Sequence, residues 1–356
     1  MTATLQEQRP PAPKPQPVLR IGRALALPFH RRGLAVSLAL LAAILLAAVA
    51  TLSLGSLGIP VLELPAALAG EARATATFAL ERIRGPRLLV AVGVGILLAI
   101  SGSLFQTVTR NPLGSPDIIG LGAGAGAGVA LATLLLPGLV PAPVGALVGA
   151  VVAIGLVWLA TGRGFTSPSR VIIAGIGVAA MAHAITQYVV SVALRDEASQ
   201  LAGYLAGSIN SSDWDDVRWV TAASVVVLLL AGLLSGRLAA VELGDDLAAS
   251  LGVRVDRTRT LAVLLAVLAA AAAVTVAGPI AFVALTAPQI ARRITAAPSP
   301  PIVATALTGA LIMVVADLAA QHLPFAEGLP VGVLTAGVGG VYLGWLLIRE
   351  WRIGRI

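Results

Sequence analysis

Charged side chains along this 356-residue chain are bunched, leaving eight long stretches with none: 33–62, 88–109, 118–162, 171–194, 219–236, 260–291, 294–316 and 328–348. A helix needs roughly 20 apolar residues to cross the hydrocarbon core of a bilayer. The stretch 118–162 exceeds one crossing and is broken by "PGLVPAPVG" at 137–145, so it reads as two helices. The stretch 260–291 is broken at Gly278-Pro279 and also reads as two, the second of them short. The pattern predicts an all-α integral membrane protein of about ten transmembrane helices. An even number places both termini on one side.

Composition agrees with that reading. The chain is 58% hydrophobic and only 12% charged, against about a quarter charged in soluble domains. Charge then sets the orientation, because cytoplasmic loops near the spans retain Arg and Lys. With the N-terminus inside, cytoplasmic segments hold 18 of the 24 basic residues and external ones hold 6. Acidic residues divide 7 inside and 9 outside, with Asp317 left within a span. The net charge of +7 is therefore a topology signal. A nucleic-acid partner is excluded, since that would gather the basic residues on one face.

The chain has no cysteine, which removes disulfides, thiolate zinc sites and iron–sulfur ligation. Residues 1–32 are Pro-rich and basic, and are expected to form a flexible cytosolic tail. The apolar run that follows is long enough to remain as a span, unlike the core of a signal peptide. The transmembrane domain covers 33–350, and 351–356 forms a cytosolic C-terminal tail.

The segment 110–128, "RNPLGSPDIIGLGAGAGAG", carries glycine at every even position from Gly120 to Gly128. A phosphate-binding loop would end in Gly-Lys-Ser/Thr, but the only lysine in the chain is Lys14. The dinucleotide pattern G-x-G-x-x-G fails because Ala123, Ala125 and Ala127 occupy the odd places. What does occur is G-x-x-x-G at 120/124, 122/126 and 124/128. Small residues four apart on a membrane helix let neighbouring backbones approach closely. The glycines read as a packing surface, and the chain has no P-loop with which to bind ATP itself.

The surrounding residues are more specific. "RIRGPRLLVAVGVGILLAISGSLFQTVTRNPLGSPDIIGLGAGAGAG" resembles the FecCD-type permease subunits of bacterial ABC importers for ferric siderophores, haem and vitamin B12. The matching residues are Arg84, Pro86, Arg87, Ser101, Gly102, Gln106, Arg110, Asn111, Pro112, Leu113, Pro116 and Gly120. A second block, "ELGDDLAASLGVRVDRTRTLAVLLAVLAAAAAVTVAGPIAFVALTAPQIARRI", resembles the family's cytoplasmic coupling segment and its G-x-I-x-F-V-G-L-x-x-P-H-x-x-R element, with Gly278 and Pro288 in place. A third, "ADLAAQHLPFAEGLPVGVLTAGVGGVYLGWLLI", resembles the closing helices, with Pro330 in an E-L-P-like element. The resemblance runs from about residue 35 to 350 and implies a BtuC-like type II ABC importer permease fold.

The resemblance also assigns roles. Within the coupling segment 241–259 it implies that Glu242, Gly244, Asp245, Leu247, Ala248, Leu251, Gly252 and Val253 dock on a separate cytosolic ATPase dimer. That dimer would carry the ATP and Mg, the permease binding no cofactor and no metal directly. Acids precede bases along this stretch, as a helix dipole favours, and Leu247 and Leu251 share one face. Arg84 and Arg87 are expected to meet glutamates of an extracytoplasmic substrate-binding (lipo)protein, or else to snorkel to lipid headgroups. A second permease subunit, identical or similar, completes one pathway.

Polar residues inside a membrane face a cavity or a partner helix by default. Gln106, His183, Gln187 and Asp317 are such residues, and His183 and Gln187 lie four apart on one helix face. Gln106, His183 and Gln187 are pathway candidates, with an interhelical hydrogen bond as the plainer alternative. Four positions depart from the family pattern: Gln289 for histidine, Gln321 for arginine, Glu327 one place further from Pro330, and Val341 where proline is frequent. The resemblance therefore points to the translocation subunit of a binding-protein-dependent ABC importer, with a ferric siderophore as the expected cargo and haem or cobalamin as alternatives. It contains no cluster of His, Asp and Glu for a membrane enzyme, and too few intramembrane acids for an ion-driven carrier.

Overall fold

The computed structural model describes residues 18–21, 25–28, 31–55, 57–162, 168–192, 203–297, 300–324, 326 and 328–352. Ten helices among them correspond one for one to the ten predicted crossings. They are α1 (Arg31–Ser53), α4 (Gly85–Thr109), α5 (Leu121–Leu135), α6 (Ala142–Ala160), α7 (Pro168–Val192), α8 (Trp214–Glu242), α10 (Val255–Ala277), α11 (Val283–Thr295), α12 (Ile302–His322) and α13 (Val331–Arg352). Two short external helices, α2 (Leu64–Leu68) and α3 (Ala74–Phe78), lie between α1 and α4, and α9 (Asp245–Ser250) lies in the coupling segment. A six-residue π-helical turn, Ala79–Arg84, joins α3 to α4 without a break.

Seven helical segments are long and apolar enough to cross a membrane, and α5 and α13 are shorter apolar helices. Helix α11 has only 13 residues, about 20 Å at 1.5 Å per residue, so the non-helical 278–282 must complete that crossing. The start of α8 shows how sequence fixes an end. The Asp213 carboxylate accepts from the backbone N–H groups of Asp215 and Asp216 at 2.8 and 2.9 Å. Asp216 accepts in return from the Asp213 N–H, and the orphan donors of the first turn are satisfied.

Helix α4 is the hub, packed against α8, α10, α11 and α12. Its glycines make that possible. A Cβ placed on Gly95 would lie 2.4 Å from the Gly309 carbonyl oxygen of α12, and one on Gly102 would lie 1.7 Å from that of Ala284 on α11. The glycine run on α5 behaves similarly but only in part. Gly124 and Gly128 close on Gly149 and Gly145 of α6, whereas Gly122 and Gly126 face Pro279 and Leu205 instead. One of the three G-x-x-x-G pairs is thus the backbone contact with α6.

Part of the expected N-terminal tail is described, and it is paired: β1 (Val18–Ile21) and β2 (Leu25–Pro28) form an antiparallel ladder with Val18 opposite Pro28. Residues 1–17, 195–202, 353–356 and Glu327 lie outside the described residues.

Candidate functional site

At the cytoplasmic end, the segments that carried the family resemblance are tied together by charge. Helix α4 ends at Arg110, whose backbone is left-handed with φ 50°. That twist turns its guanidinium toward the coupling segment, where it donates to the Val241 carbonyl at 2.7 Å and pairs with the Asp245 carboxylate. Arg259, at the start of α10, holds the same Asp245 oxygen at 2.8 Å. Slight desolvation raises the Asp245 pKa, but the Arg110 and Arg259 guanidiniums outweigh it and hold the carboxyl below its ordinary range. Being depressed, that pKa keeps the clamp charged at neutral pH. The clamp is lost only as pH falls through the lowered value.

A second ion pair lies beside it. Arg292 of α11 donates to Glu242 at 2.7 Å and to the Thr107 hydroxyl at 3.1 Å. Gln289, one turn earlier, donates to the Pro112 carbonyl at 2.8 Å. The Asn111 side chain accepts from the Leu113 N–H at 2.9 Å, which closes the Asn-Pro turn. Gln106 donates to the Leu285 carbonyl at 3.0 Å and lines the cavity that Arg110, Glu242 and Arg292 share.

On this frame sits α9. Gly244 precedes it with φ 122° and Gly252 follows with φ 79°, two backbone reversals that glycine alone adopts without strain. Ala248 is fully buried, packing with Ala240, Val241 and Val253. Leu247 and Leu251 point the other way and are 57% and 66% exposed. A short helix is thus anchored by one small residue and the two ion pairs of Asp245, with two leucines facing water.

At the external end, Arg84 is buried and donates to the Thr51 carbonyl. Arg87 grips Asp317 through two nitrogens, at 2.7 and 2.8 Å, and Gln321 donates to the other oxygen of that carboxylate at 2.7 Å. The intramembrane acid Asp317 is therefore the partner of Arg87. Removing one member of such a pair leaves a buried unpaired charge, at roughly 3–5 kcal/mol. Both arginines also line an external cavity of about 280 Å³ together with Leu57, Asn210 and His322.

The sequence profile of the FecCD transport family matches residues 40–349. The chain belongs to the FecCD transport family. It is 41% identical over 323 residues to the ferric enterobactin transport system permease of Escherichia coli (strain K12), covering 90% of this chain and 98% of that one. It is 36% identical to the Fe(3+) dicitrate transport system permease FecD of the same organism, covering 76% and 86%. A solved inward-facing metal-chelate type ABC transporter superposes with a TM-score of 0.79 at 26% identity, covering 88% of this chain and 99% of that one. The chain is thus a multi-pass membrane permease subunit of an ABC importer and not an enzyme.

Within the FecCD fold, His183 and Gln187 of α7 line a cavity of about 440 Å³ with Asp117, Gly122, Leu205 and Pro279. Gln106 is not in that cavity. Gly120 (φ 79°) and Gly278 (φ 67°) bring backbone up to α7 and to the Tyr204 carbonyl. Beyond Pro330, the Gly332 N–H donates to the Gly207 carbonyl at 2.9 Å, so the 203–208 segment is seated between α10 and α13. Of the departures from the family pattern, Gln289 and Gln321 each make a hydrogen bond in the networks above, and Val341 is exposed. From the sequence, Arg259 stood only as one of the bases late in the coupling segment, and Arg292 was not singled out. Arg292 was within reach, since it stands four places after Pro288 at the motif's closing arginine.

Proposed function

We propose that this permease, paired with a second permease subunit, forms the membrane pathway of a ferric-siderophore importer driven by a cytosolic ATPase dimer. One observation carries the energy-coupling part: Leu247 and Leu251 stand in water on a helix that two ion pairs of Asp245 fix to Arg110 at the end of α4 and to Arg259 of α10, while Arg292 of α11 holds Glu242 at the adjoining end of α8. Two neighbouring leucines left exposed on one short cytosolic helix form an apolar patch suited to a partner protein. The clamp beneath them passes displacement of α9 to the helices around the pathway, as rigid-body alternating access requires.

Docking of a substrate-binding protein belongs to the opposite mouth. There Arg84 and Arg87 line a polar cavity wide enough for an acidic side chain to approach. Contacts of this kind set orientation and on-rate more than affinity. The cargo assignment rests on the relatives, which are named for ferric enterobactin and Fe(3+) dicitrate. The pathway then passes an intact chelate, and the permease supplies no ligand to iron.

The test is uptake into proteoliposomes that hold this chain with an ATPase and a binding protein taken from the same gene neighbourhood. Radiolabelled iron presented as a siderophore complex is expected to accumulate only with internal ATP. Accumulation of cobalamin or haem in place of the siderophore would overturn the cargo. Accumulation driven by an ion gradient without ATP would overturn the coupling.

A further inference from the structure

Three arginines on the cytoplasmic face have no role in either network. Arg237 ends the lower part of α8, and Arg254 and Arg257 stand at the entry to α10. All three are exposed, and no ion pair engages them among the described residues. With Gly252, Val253 and Thr258 they enclose a cavity of about 240 Å³. Thr258, itself only 2% exposed, forms part of the wall of that cavity.

What lies above the pocket identifies the occupant. Leu233 and Leu229 follow Arg237 upward at four-residue steps on α8, and are 78% and 63% exposed. Leu261, Leu264 and Leu268 follow Arg257 on α10 and are 39%, 40% and 59% exposed. The two helices run antiparallel against each other, joined near the external side by the Trp219 indole donating to the Ala272 carbonyl. Two packed helices therefore each carry exposed leucines along the bilayer and end together on three cations at the cytoplasmic headgroup level. A soluble anion would use the cations alone; a phospholipid would use the cations and both stripes.

We infer that Arg237, Arg254, Arg257 and Thr258 bind the phosphate of an anionic phospholipid whose acyl chains lie along α8 and α10. Basic pockets between transmembrane helices on the cytoplasmic side suit such headgroups. Since Arg254 and Arg257 end the coupling segment, the lipid pins that segment to the membrane surface. This site does not depend on which cargo is carried.

Native mass spectrometry of the delipidated full-length chain tests it, with phosphatidylglycerol and phosphatidylcholine as alternative probes. The wild type is expected to retain phosphatidylglycerol selectively. The triple variant Arg237→Ala, Arg254→Ala, Arg257→Ala should bind it on the order of a hundredfold more weakly, and the triple Arg→Lys variant should recover most of the loss. Equal retention by the alanine variant, or equal binding of phosphatidylcholine, overturns the site. Competition by millimolar inorganic phosphate as effective as added lipid overturns the lipid assignment in favour of a free anion. Loss of the bound lipid on adding the ATPase would show a protein surface instead. Since all three arginines are exposed, unchanged thermal unfolding of the lipid-free variants is expected, and Arg→Lys recovery separates binding from misfolding.

Discussion

Replacing Leu247 and Leu251 together by aspartate is expected to reduce ATP-driven uptake by about a hundredfold or more, with the permease still folded. Both side chains are already in water, at 57% and 66% exposure, so the change removes no packing inside the chain. What it removes is the apolar anchor for the ATPase. Interface anchors of this type cost at least about 2 kcal/mol each when truncated, and two carboxylates placed in an apolar groove add desolvation. Ala248 stays buried against Val241 and Val253, so α9 keeps its seat. Proteoliposome uptake, with thermal unfolding of the same preparations, separates the two effects. Wild-type uptake from the double variant would show that this helix is not where the ATPase engages.

Gly128→Leu is expected to destabilise the permease by roughly 3 kcal/mol or more, enough to lose the monodisperse protein in detergent. Its Cβ would fall 2.1 Å from the Gly145 carbonyl oxygen and 2.8 Å from the Gly149 Cα. Those are backbone atoms of α6, which no rotamer change can move aside. Separating α5 from α6 would also open the Gly124–Gly149 contact one turn away. The control is Gly155→Leu on α6, where an added Cβ meets nothing within 4 Å. It should unfold within a few degrees of the wild type. If both variants unfold alike, close helix packing is not the reason for the glycine run.

The positions of the spans were legible because hydropathy is a local property: every predicted crossing has a helix. The glycine run was legible as a packing surface for the same reason, since spacing four apart is written in the sequence. Its partners were not, and so α7, Leu205 and Pro279 could not be told from α6 as neighbours of particular glycines. The ion pairs were hidden altogether. Arg110 and Asp245 are 135 residues apart and Arg87 and Asp317 are 230 apart, and no local pattern pairs them. Asp317 was legible as an intramembrane acid that needs a cavity or a partner helix, but not as the counter-ion of Arg87. Gln106 was separated from His183 and Gln187 by the same kind of long-range fact. It points at α11, and α7 carries the other two.

The central claim is that α9 is a cytosolic lever held to the pathway helices and engaged by the ATPase. The absence of cysteine from the chain makes one measurement direct. Leu247→Cys in the assembled importer is expected to cross-link to a single cysteine on the ATPase, with a yield that changes on ATP binding. Leu62→Cys, on the external connector and 95% exposed, should give none. Cross-linking at 62 in place of 247 would contradict the account.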